Sequence, residues 1–233
     1  MASGTFDPIW QQRYRENPTY RSHYPWSAVV SFVLGHSPKA RARSEISILE
    51  IGCGTGNNLW FVAREGFQAA GVDGSATAIE HAREWFAREC LDVRLEVADF
   101  TTALPFADAS FDLIFERAAL SFTTREGASA CVAEVWRMLK SGGLFQCGPY
   151  SDRDSSFYRS PDEDGTVRDI AVGTIIGGSQ TRFYSLQEIR DLFRDDWELL
   201  SVKHVEEMEV LRPERVCHSE WLVIARKIQG HSR

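Results

Sequence analysis

The chain has 233 residues, of which 43% are hydrophobic and 25% charged, a balance typical of a globular protein with one α/β domain. Its 26 lysines and arginines against 33 acidic residues give a formal charge of −7, which argues against binding to DNA, RNA or an anionic membrane. The five cysteines are odd in number and form no C-x-x-C pair, which argues against a disulfide framework or a bound metal.

The first 45 residues are rich in aromatic side chains and precede the first predicted strand. Residues 27–34 have the pattern of a short helix, and the aromatic density exceeds what a disordered tail carries. We therefore predict that residues 1–45 form a helical lid over a binding site, although any single ring could instead pack on the edge of the sheet. The rings concerned are Trp10, Tyr14, Tyr20, Tyr24 and Trp26.

From residue 46 onward, short apolar runs alternate with amphipathic stretches, which predicts a parallel sheet with helices on both faces. Gly142 and Gly143 are expected to end the third helix of this region. Predicted strands cover residues 46–51, 68–72, 93–98, 111–115 and 144–147, and predicted helices cover 57–65, about 76–89 after a Ser75 cap, and 127–139.

The alternation breaks at residues 149–184, a polar and glycine-containing stretch that we interpret as an insertion. Long insertions in compact domains are often functional. Ser185 then caps a predicted helix to about Phe193, and the runs at 197–205 and 221–226 predict an antiparallel pair of strands. The sequence thus predicts a lid at 1–45 and a single domain at 46–228.

Three alternating glycines directly follow the first predicted strand. Gly52, Gly54 and Gly56 allow a tight turn and a close approach of the backbone to a ligand, and the following helix points free N–H groups at the same gap. A dinucleotide fingerprint needs a third glycine or alanine at position 57, where this chain has asparagine. The pattern favours a nucleotide-like cofactor and weakens a dehydrogenase interpretation.

The string Glu50-Ile51-Gly52-Cys53-Gly54-Thr55-Gly56-Asn57-Asn58 resembles motif I of the class I S-adenosylmethionine (SAM) dependent methyltransferases. Segments 104–106, 110–112 and 137–143 also resemble that family, in the expected order and spacing. The resemblance implies SAM as cofactor. It also implies a Rossmann-like, doubly wound sheet of seven mostly parallel strands with an antiparallel last strand.

The resemblance assigns roles to acidic residues at the strand ends. Asp73 is expected to bind the ribose and Asp99 the adenine amino group, while Glu50 supports the glycine loop or the cofactor amino group. Phe100 lies either against the adenine or in the core. The complete predicted cofactor site is Trp10, Tyr14, Glu50, Gly52, Gly54, Gly56, Asn57, Asp73, Gly74, Asp99, Phe100 and Glu116.

The acceptor side is less defined by sequence. Residues 116–119 replace the Asn/Asp-Pro-Pro-Tyr motif of base-methylating and glutamine-methylating branches, which disfavours an amide or nucleobase acceptor. Glu116 and Arg117 are either catalytic or a simple ion pair. Predicted catalytic residues are Glu116, Arg117 and Tyr184; predicted substrate-binding residues are Tyr24, Tyr150, Tyr158, Arg182 and Tyr184; and His36, His81, His204 and His218 are predicted to be structural or solvent-facing.

We therefore predict a cytoplasmic SAM-dependent methyltransferase that acts on an oxygen or nitrogen atom of a small molecule, such as a sugar-like or natural-product metabolite. A nicotinamide-dependent oxidoreductase and a non-catalytic SAM-binding protein are the alternatives. Neither a nucleic acid nor a membrane is expected as partner. The oligomeric state stays open, with a homodimer as one option.

Overall fold

The computed structural model describes residues 6–157, 165–175, 180–211 and 216–228. Its strands are β1 (Ser47–Ile51), β2 (Gln68–Asp73), β3 (Val93–Val97), β4 (Phe111–Glu116), β5 (Leu139–Cys147), β6 (Thr166–Arg168), β7 (Gln180–Arg182), β8 (Trp197–Met208) and β9 (Cys217–Lys227). Its α-helices are α1 (Ile9–Glu16), α2 (Ser27–His36), α3 (Asn57–Arg64), α4 (Ala76–Arg88), α5 (Arg125–Met138) and α6 (Leu186–Leu192).

Seven of these strands form one sheet in the order β3-β2-β1-β4-β5-β9-β8. The pairs among β1 to β5 are parallel, and β9 runs antiparallel to both of its neighbours. The predicted fold class is therefore confirmed. The direction of winding reverses between β1 and β4, and an open α/β sheet has its ligand crevice at that point.

Two apolar clusters cover the two faces of the sheet. One contains residues of α2, α3 and α4, including Phe32, Leu59 and Phe86, while the other contains α5 and α6, including Val135 and Ile189. Strand β1 alternates between them, because successive side chains of a strand point to opposite faces. Its near-continuous apolar sequence is what a parallel strand buried on both faces requires.

Most predicted boundaries agree with the structure to within two residues, but β5 differs. The helix ends at Met138 and the strand begins at once, so Gly142 and Gly143 lie inside β5 and do not form a helix stop. A register shift between β4 and β5 falls here, and Gly142 has a φ of +73°. A side chain on Gly143 would place its Cβ 3.0 Å from the carbonyl oxygen of Asp112, so the glycine serves close backbone approach.

The insertion and the final strands also contain more structure than predicted. Strands β6 and β7 form a small antiparallel sheet within residues 149–184. The antiparallel pairing of β8 with β9 is confirmed, although both strands are longer than predicted. None of the described helices combines the length and the apolar character needed to cross a bilayer.

The N-terminal segment packs directly on the sheet domain through α1. The side-chain amide of Gln11 donates to Thr77 Oγ1 at 2.6 Å and accepts from Ser75 Oγ at 2.8 Å. Ser75 also caps α4 by accepting from the backbone N–H of Ala78, as predicted. Helix α1 is therefore held at the start of α4, beside the carboxyl end of β2.

Replacing Gly56 with alanine is expected to lower the free energy of unfolding by about 2–4 kcal/mol. Its φ is +85°, and an added Cβ would lie 2.5 Å from the ring of Phe86. Gly66 is a matched control, because its φ is +84° and nothing lies within 4 Å of an added Cβ. The Gly66→Ala variant should lose only about 1–2 kcal/mol, measured by urea unfolding; equal losses in the two variants would contradict the packing at Gly56.

Candidate functional site

The loop after β1 is fastened to the end of β2 by one carboxylate. Asp73 accepts from the backbone N–H of Gly54 through Oδ2 and from that of Ser75 through Oδ1, both at 2.8 Å. Burial raises the pKa of Asp73 to about 6, although the two backbone hydrogen bonds oppose that shift. The carboxylate lines the crevice and is partly desolvated before any ligand binds.

Glu50 lies at the other side of the glycine loop, near the carboxyl end of β1. Its Oε1 accepts from the side-chain amide of Asn58 at 2.7 Å, while its buried Oε2 has no hydrogen-bond partner among the described residues. Burial holds the pKa of Glu50 well above its usual range. A buried oxygen without a donor is costly, so this position suits a ligand that carries N–H groups.

Two adjoining cavities open at this edge of the sheet, with volumes of about 100 Å³ and about 400 Å³. They share a wall of Trp10, Tyr14, Gly52, Arg117 and Phe122. Besides that wall, the smaller cavity is lined by Phe6, Asp73, Gly74, Asp99, Phe100, Ala119 and Thr123, and the larger by residues that include Glu50, Gly54, Asn57, Asn58, Tyr150, Thr174 and His218.

Aromatic rings of the N-terminal segment form the roof over both cavities. Trp10 packs edge-on against Phe122 at a centroid distance of 4.7 Å and against Tyr20 at 6.0 Å. The Tyr14 hydroxyl lies 2.6 Å from where a Cβ on Gly54 would be, so only glycine permits this approach. Arg117 stacks on Trp26 with its guanidinium carbon 4.0 Å from the ring centroid.

The beginning of the described chain reaches the far end of the smaller cavity. Asp99 accepts from the backbone N–H of Phe6 at 2.7 Å through Oδ2, and from the backbone and hydroxyl of Thr101 through Oδ1. The Phe6 ring fills the space where a side chain on Gly74 would stand. The N-terminal segment therefore contacts the residue that is predicted to bind adenine.

An ionic cluster forms the opposite wall of the larger cavity. The His218 Nδ1 lies 3.1 Å from Asp154 Oδ2, and its Nε2 lies 3.6 Å from Glu220 Oε2. Arg117 is 3.4 Å from the same oxygen of Glu220. The two carboxylates raise the pKa of His218 to about 9, and Tyr150 stands edge-on to the imidazole at 5.5 Å.

Sequence reasoning missed the role of His218 in this cluster. The predicted structural or solvent-facing role did not include a place in the wall of a cavity, which the ring also lines. The alternation of His218 and Glu220 on β9 was the available signal, because it places both side chains on one face. Asp154 lies in the insertion, 64 residues away, and no local pattern indicates their pairing.

The structure places Glu116, predicted to be catalytic and cofactor-binding, outside the two cavities. Its carboxylate is buried, with Oε1 accepting from the Gly148 N–H at 2.7 Å and Oε2 from the Leu120 N–H at 3.3 Å. Burial raises its pKa to about 7, against the effect of these bonds. Glu116 joins the loops after β4 and β5 behind the cavities and lines neither of them.

Tyr184 and Arg182, predicted to act in catalysis and substrate binding, also lie outside the two cavities. Both side chains are 1% exposed. The Tyr184 hydroxyl donates to the carbonyl oxygen of Leu120 at 2.7 Å, and Arg182 pairs with Glu188 at the start of α6. These two residues fasten the end of the insertion to the main domain.

The remaining predicted site residues divide by position. Tyr24, predicted to bind substrate, is 79% exposed and lines neither cavity. Gly56 contacts Phe86 of α4 and does not face the cavities. Tyr158 lies outside the described residues. The predicted residues that do line the two cavities are Trp10, Tyr14, Glu50, Gly52, Gly54, Asn57, Asp73, Gly74, Asp99, Phe100, Arg117 and Tyr150.

Comparison with known proteins gives a family match over the central part of the chain. Residues 48–143 match the family model described as a methyltransferase domain. A SAM-dependent methyltransferase from Methanosarcina mazei has the same fold, with a TM-score of 0.64, 22% identity and coverage of 80% of this chain and 94% of that one.

Two curated relatives differ in the substrate that their names state. The chain is 26% identical to the tRNA N(3)-methylcytidine methyltransferase trm140 of Schizosaccharomyces pombe, over 74% of this chain and 58% of the relative. It is 34% identical to the malonyl-[acyl-carrier protein] O-methyltransferase of Erwinia pyrifoliae, over 45% of this chain and 37% of the relative. The chain thus matches only part of each relative's length.

The glycine loop, the sheet order and the family match agree. Residues 48–143 are a methyltransferase domain of the class I, SAM-dependent type, and SAM is the cofactor of that domain. This decides against the nicotinamide-dependent alternative. The expectation that no nucleic acid is a partner is not confirmed, because one relative is named for tRNA.

The Tyr184→Phe variant is expected to lose about 1–2 kcal/mol of stability, because it leaves the buried Leu120 carbonyl without its donor. Its affinity for S-adenosylhomocysteine should not change. Tyr24→Phe is the matched control, since that ring is exposed, and it should change neither property. Thermal unfolding and isothermal titration measure the two effects; a fully stable Tyr184→Phe protein with impaired binding would restore the site role.

Proposed function

We propose that the protein transfers a methyl group from SAM to an oxygen or nitrogen atom of a small organic acceptor. The observation that carries this proposal is the pair of cavities with one shared wall, because methyl transfer requires cofactor and acceptor side by side. Aromatic rings cover these cavities, and a covered cavity buries most of the surface of a compact molecule. The site therefore favours a small acceptor.

The residues of the crevice fit the parts of SAM. Asp73 keeps acceptor capacity on both carboxylate oxygens for the ribose hydroxyls, and the partnerless Oε2 of Glu50 suits the ammonium group. A Cβ on Gly52 would lie 2.7 Å from that of Ala119, which accounts for glycine where β1 opens into the crevice. Asp99 at the far end suits the adenine amino group.

Bound SAM would supply an electrophilic methyl group on a sulfonium, with S-adenosylhomocysteine as the leaving group, and a hydroxyl or amine acceptor would give up its proton to solvent as product leaves the site. The chain itself contributes position and exclusion of water. Trp10 and Tyr14 cover the boundary between the two cavities. Burial raises the pKa of Tyr14 well above its usual range, so its hydroxyl stays neutral beside Asp73.

A small acceptor is favoured over tRNA by charge. The chain carries a net charge of −7, and a polyanion such as RNA is bound chiefly through basic surface.

A cytoplasmic location agrees with the five free cysteines, three of which are buried. The division into a lid at 1–45 and a domain at 46–228 stays part of the proposal.

Isothermal titration should show binding of SAM and S-adenosylhomocysteine, and Asp73→Asn should weaken it about 10- to 100-fold, because the amide cannot accept all the hydrogen bonds of the carboxylate. Asp108→Asn is the control, since Asp108 is an exposed acid outside both cavities and should leave affinity unchanged. Failure of the wild-type protein to bind either compound would refute the proposed function. Binding without S-adenosylhomocysteine formation across a broad acceptor panel would favour the non-catalytic alternative.

Cofactor affinity should fall as the pH drops through about 6, because the pKa of Asp73 lies there and not near 3.8. Above pH 6 the carboxylate is ionised and accepts the ribose hydroxyls; below it the bound proton removes that capacity. Titrations of S-adenosylhomocysteine between pH 5 and pH 8 measure the effect. Asp73→Asn should show a smaller pH dependence over the same range, and an equal dependence would assign the titration to another group such as Glu50.

A further inference from the structure

The larger cavity is lined by basic side chains in a protein that is acidic as a whole. Of its described lining residues, Arg13, Arg117 and His218 are basic and Glu50 is acidic. Glu50 is bonded to Asn58 beside the glycine loop and belongs to the cofactor half of the site. Arg13 lies on α1 over the Trp10 and Tyr20 rings. Arg117, on the wall shared by the two cavities, and His218, in the larger cavity alone, therefore remain as a basic pair with Glu220 as their common neighbour.

The two carboxylates that accompany this pair lie behind it and do not line the cavity. Asp154 is completely buried and also accepts from the backbone N–H groups of Ser156 and Ser219 and from the Thr174 hydroxyl. Glu220 is shared, because its Oε2 lies 3.4 Å from Arg117 and 3.6 Å from His218, beyond ordinary hydrogen-bond length.

In this arrangement the cations of Arg117 and His218 line the cavity, and the two carboxylates that balance their charge do not. The carboxylates offset the cost of burying the two cations, and they fix the imidazole and the guanidinium in place. Stacking of Arg117 on Trp26 fixes the guanidinium from its other side. Directed, partly desolvated cations of this kind bind an anionic group through charge-assisted hydrogen bonds.

We propose that the acceptor is a small organic acid whose anionic group is held by Arg117 and His218 beside Tyr150. The assignment rests on the proposed methyltransferase function and deepens it by naming the charge of the acceptor. An acidic acceptor also complements the cationic sulfonium of the cofactor across the shared wall. The aromatic roof of Trp10 and Phe122 covers the organic part of such a molecule.

The charge state of His218 supports this role. The groups that face it are Asp154 from the insertion, Glu220 from the same strand, Arg117 from the loop after β4, and Tyr150 after β5. The two carboxylates raise the pKa of the imidazole to about 9, so it carries a proton at neutral pH. A protonated imidazole donates to an anion and does not serve as a base.

The test uses full-length protein saturated with S-adenosylhomocysteine and matched probes, each an acid with its primary amide: benzoate and benzamide, cinnamate and cinnamamide, indole-3-acetate and indole-3-acetamide. Isothermal titration at pH 7 measures both members of each pair. At least one acid should bind about tenfold or more tightly than its amide. His218→Asn keeps an amide donor at the Nδ1 position that faces Asp154 but removes the charge, and it should lower that ratio at least about threefold, with Arg117 still present. His36→Asn, at an exposed position of α2, should not change it.

The His218→Asn protein should unfold cooperatively at a lower temperature, because the buried Asp154 loses its cation, and its affinity for S-adenosylhomocysteine should equal the wild-type value, which separates a local effect from misfolding. The proposal is overturned if no acid binds, if amides bind as tightly as acids, or if His218→Asn keeps the full preference for acids. Loss of S-adenosylhomocysteine binding by the wild-type protein would instead refute the proposed function, so the two failures are distinguishable.

Discussion

The hydrogen bonds of Asp73 hold together the part of the molecule on which the rest of the site depends. One carboxylate connects the glycine loop after β1 with the turn after β2, and that turn positions the Ser75 cap of α4. Ser75 in turn contacts Gln11 of α1. The glycine loop, the start of α4 and helix α1 are therefore all positioned through Asp73. They lie at the edge of the sheet where the strand order reverses between β1 and β4, which is where a ligand crevice opens.

The cofactor half of the site was predictable because its residues lie close together in sequence. Glycines at alternate positions and acids at strand ends are local patterns, and the topology of a parallel sheet brings strand ends to one edge. The parallel sheet was predicted from an equally local pattern, the alternation of strands and helices along the chain. The error at β5 arose because a helix stop and a close backbone approach both select glycine, and the sequence of Gly142 and Gly143 does not distinguish them.

The acceptor half was predicted less well because its contacts are between distant residues. Tyr150 and Tyr184 lie at the two ends of the insertion, yet Tyr150 lines the cavity and Tyr184 is buried with its hydroxyl bonded to the Leu120 carbonyl. Their environments differ only because of how the insertion packs on the sheet. Likewise, Asp154 and His218 meet through the three-dimensional fold, and an isolated histidine on a strand gave no reason to expect a buried carboxylate behind it.

The hydrogen bond from the Phe6 N–H to Asp99 couples the N-terminal segment to the proposed cofactor site. Because Asp99 is the proposed partner of the adenine amino group, Phe6 and adenine would both donate to this carboxylate. The tethered Phe6 acts at a high effective concentration and is therefore an intramolecular competitor. By linkage, a change that breaks this one contact while Trp10 and Tyr14 stay in place raises the apparent affinity for the cofactor, and bound cofactor weakens the contact to the same extent.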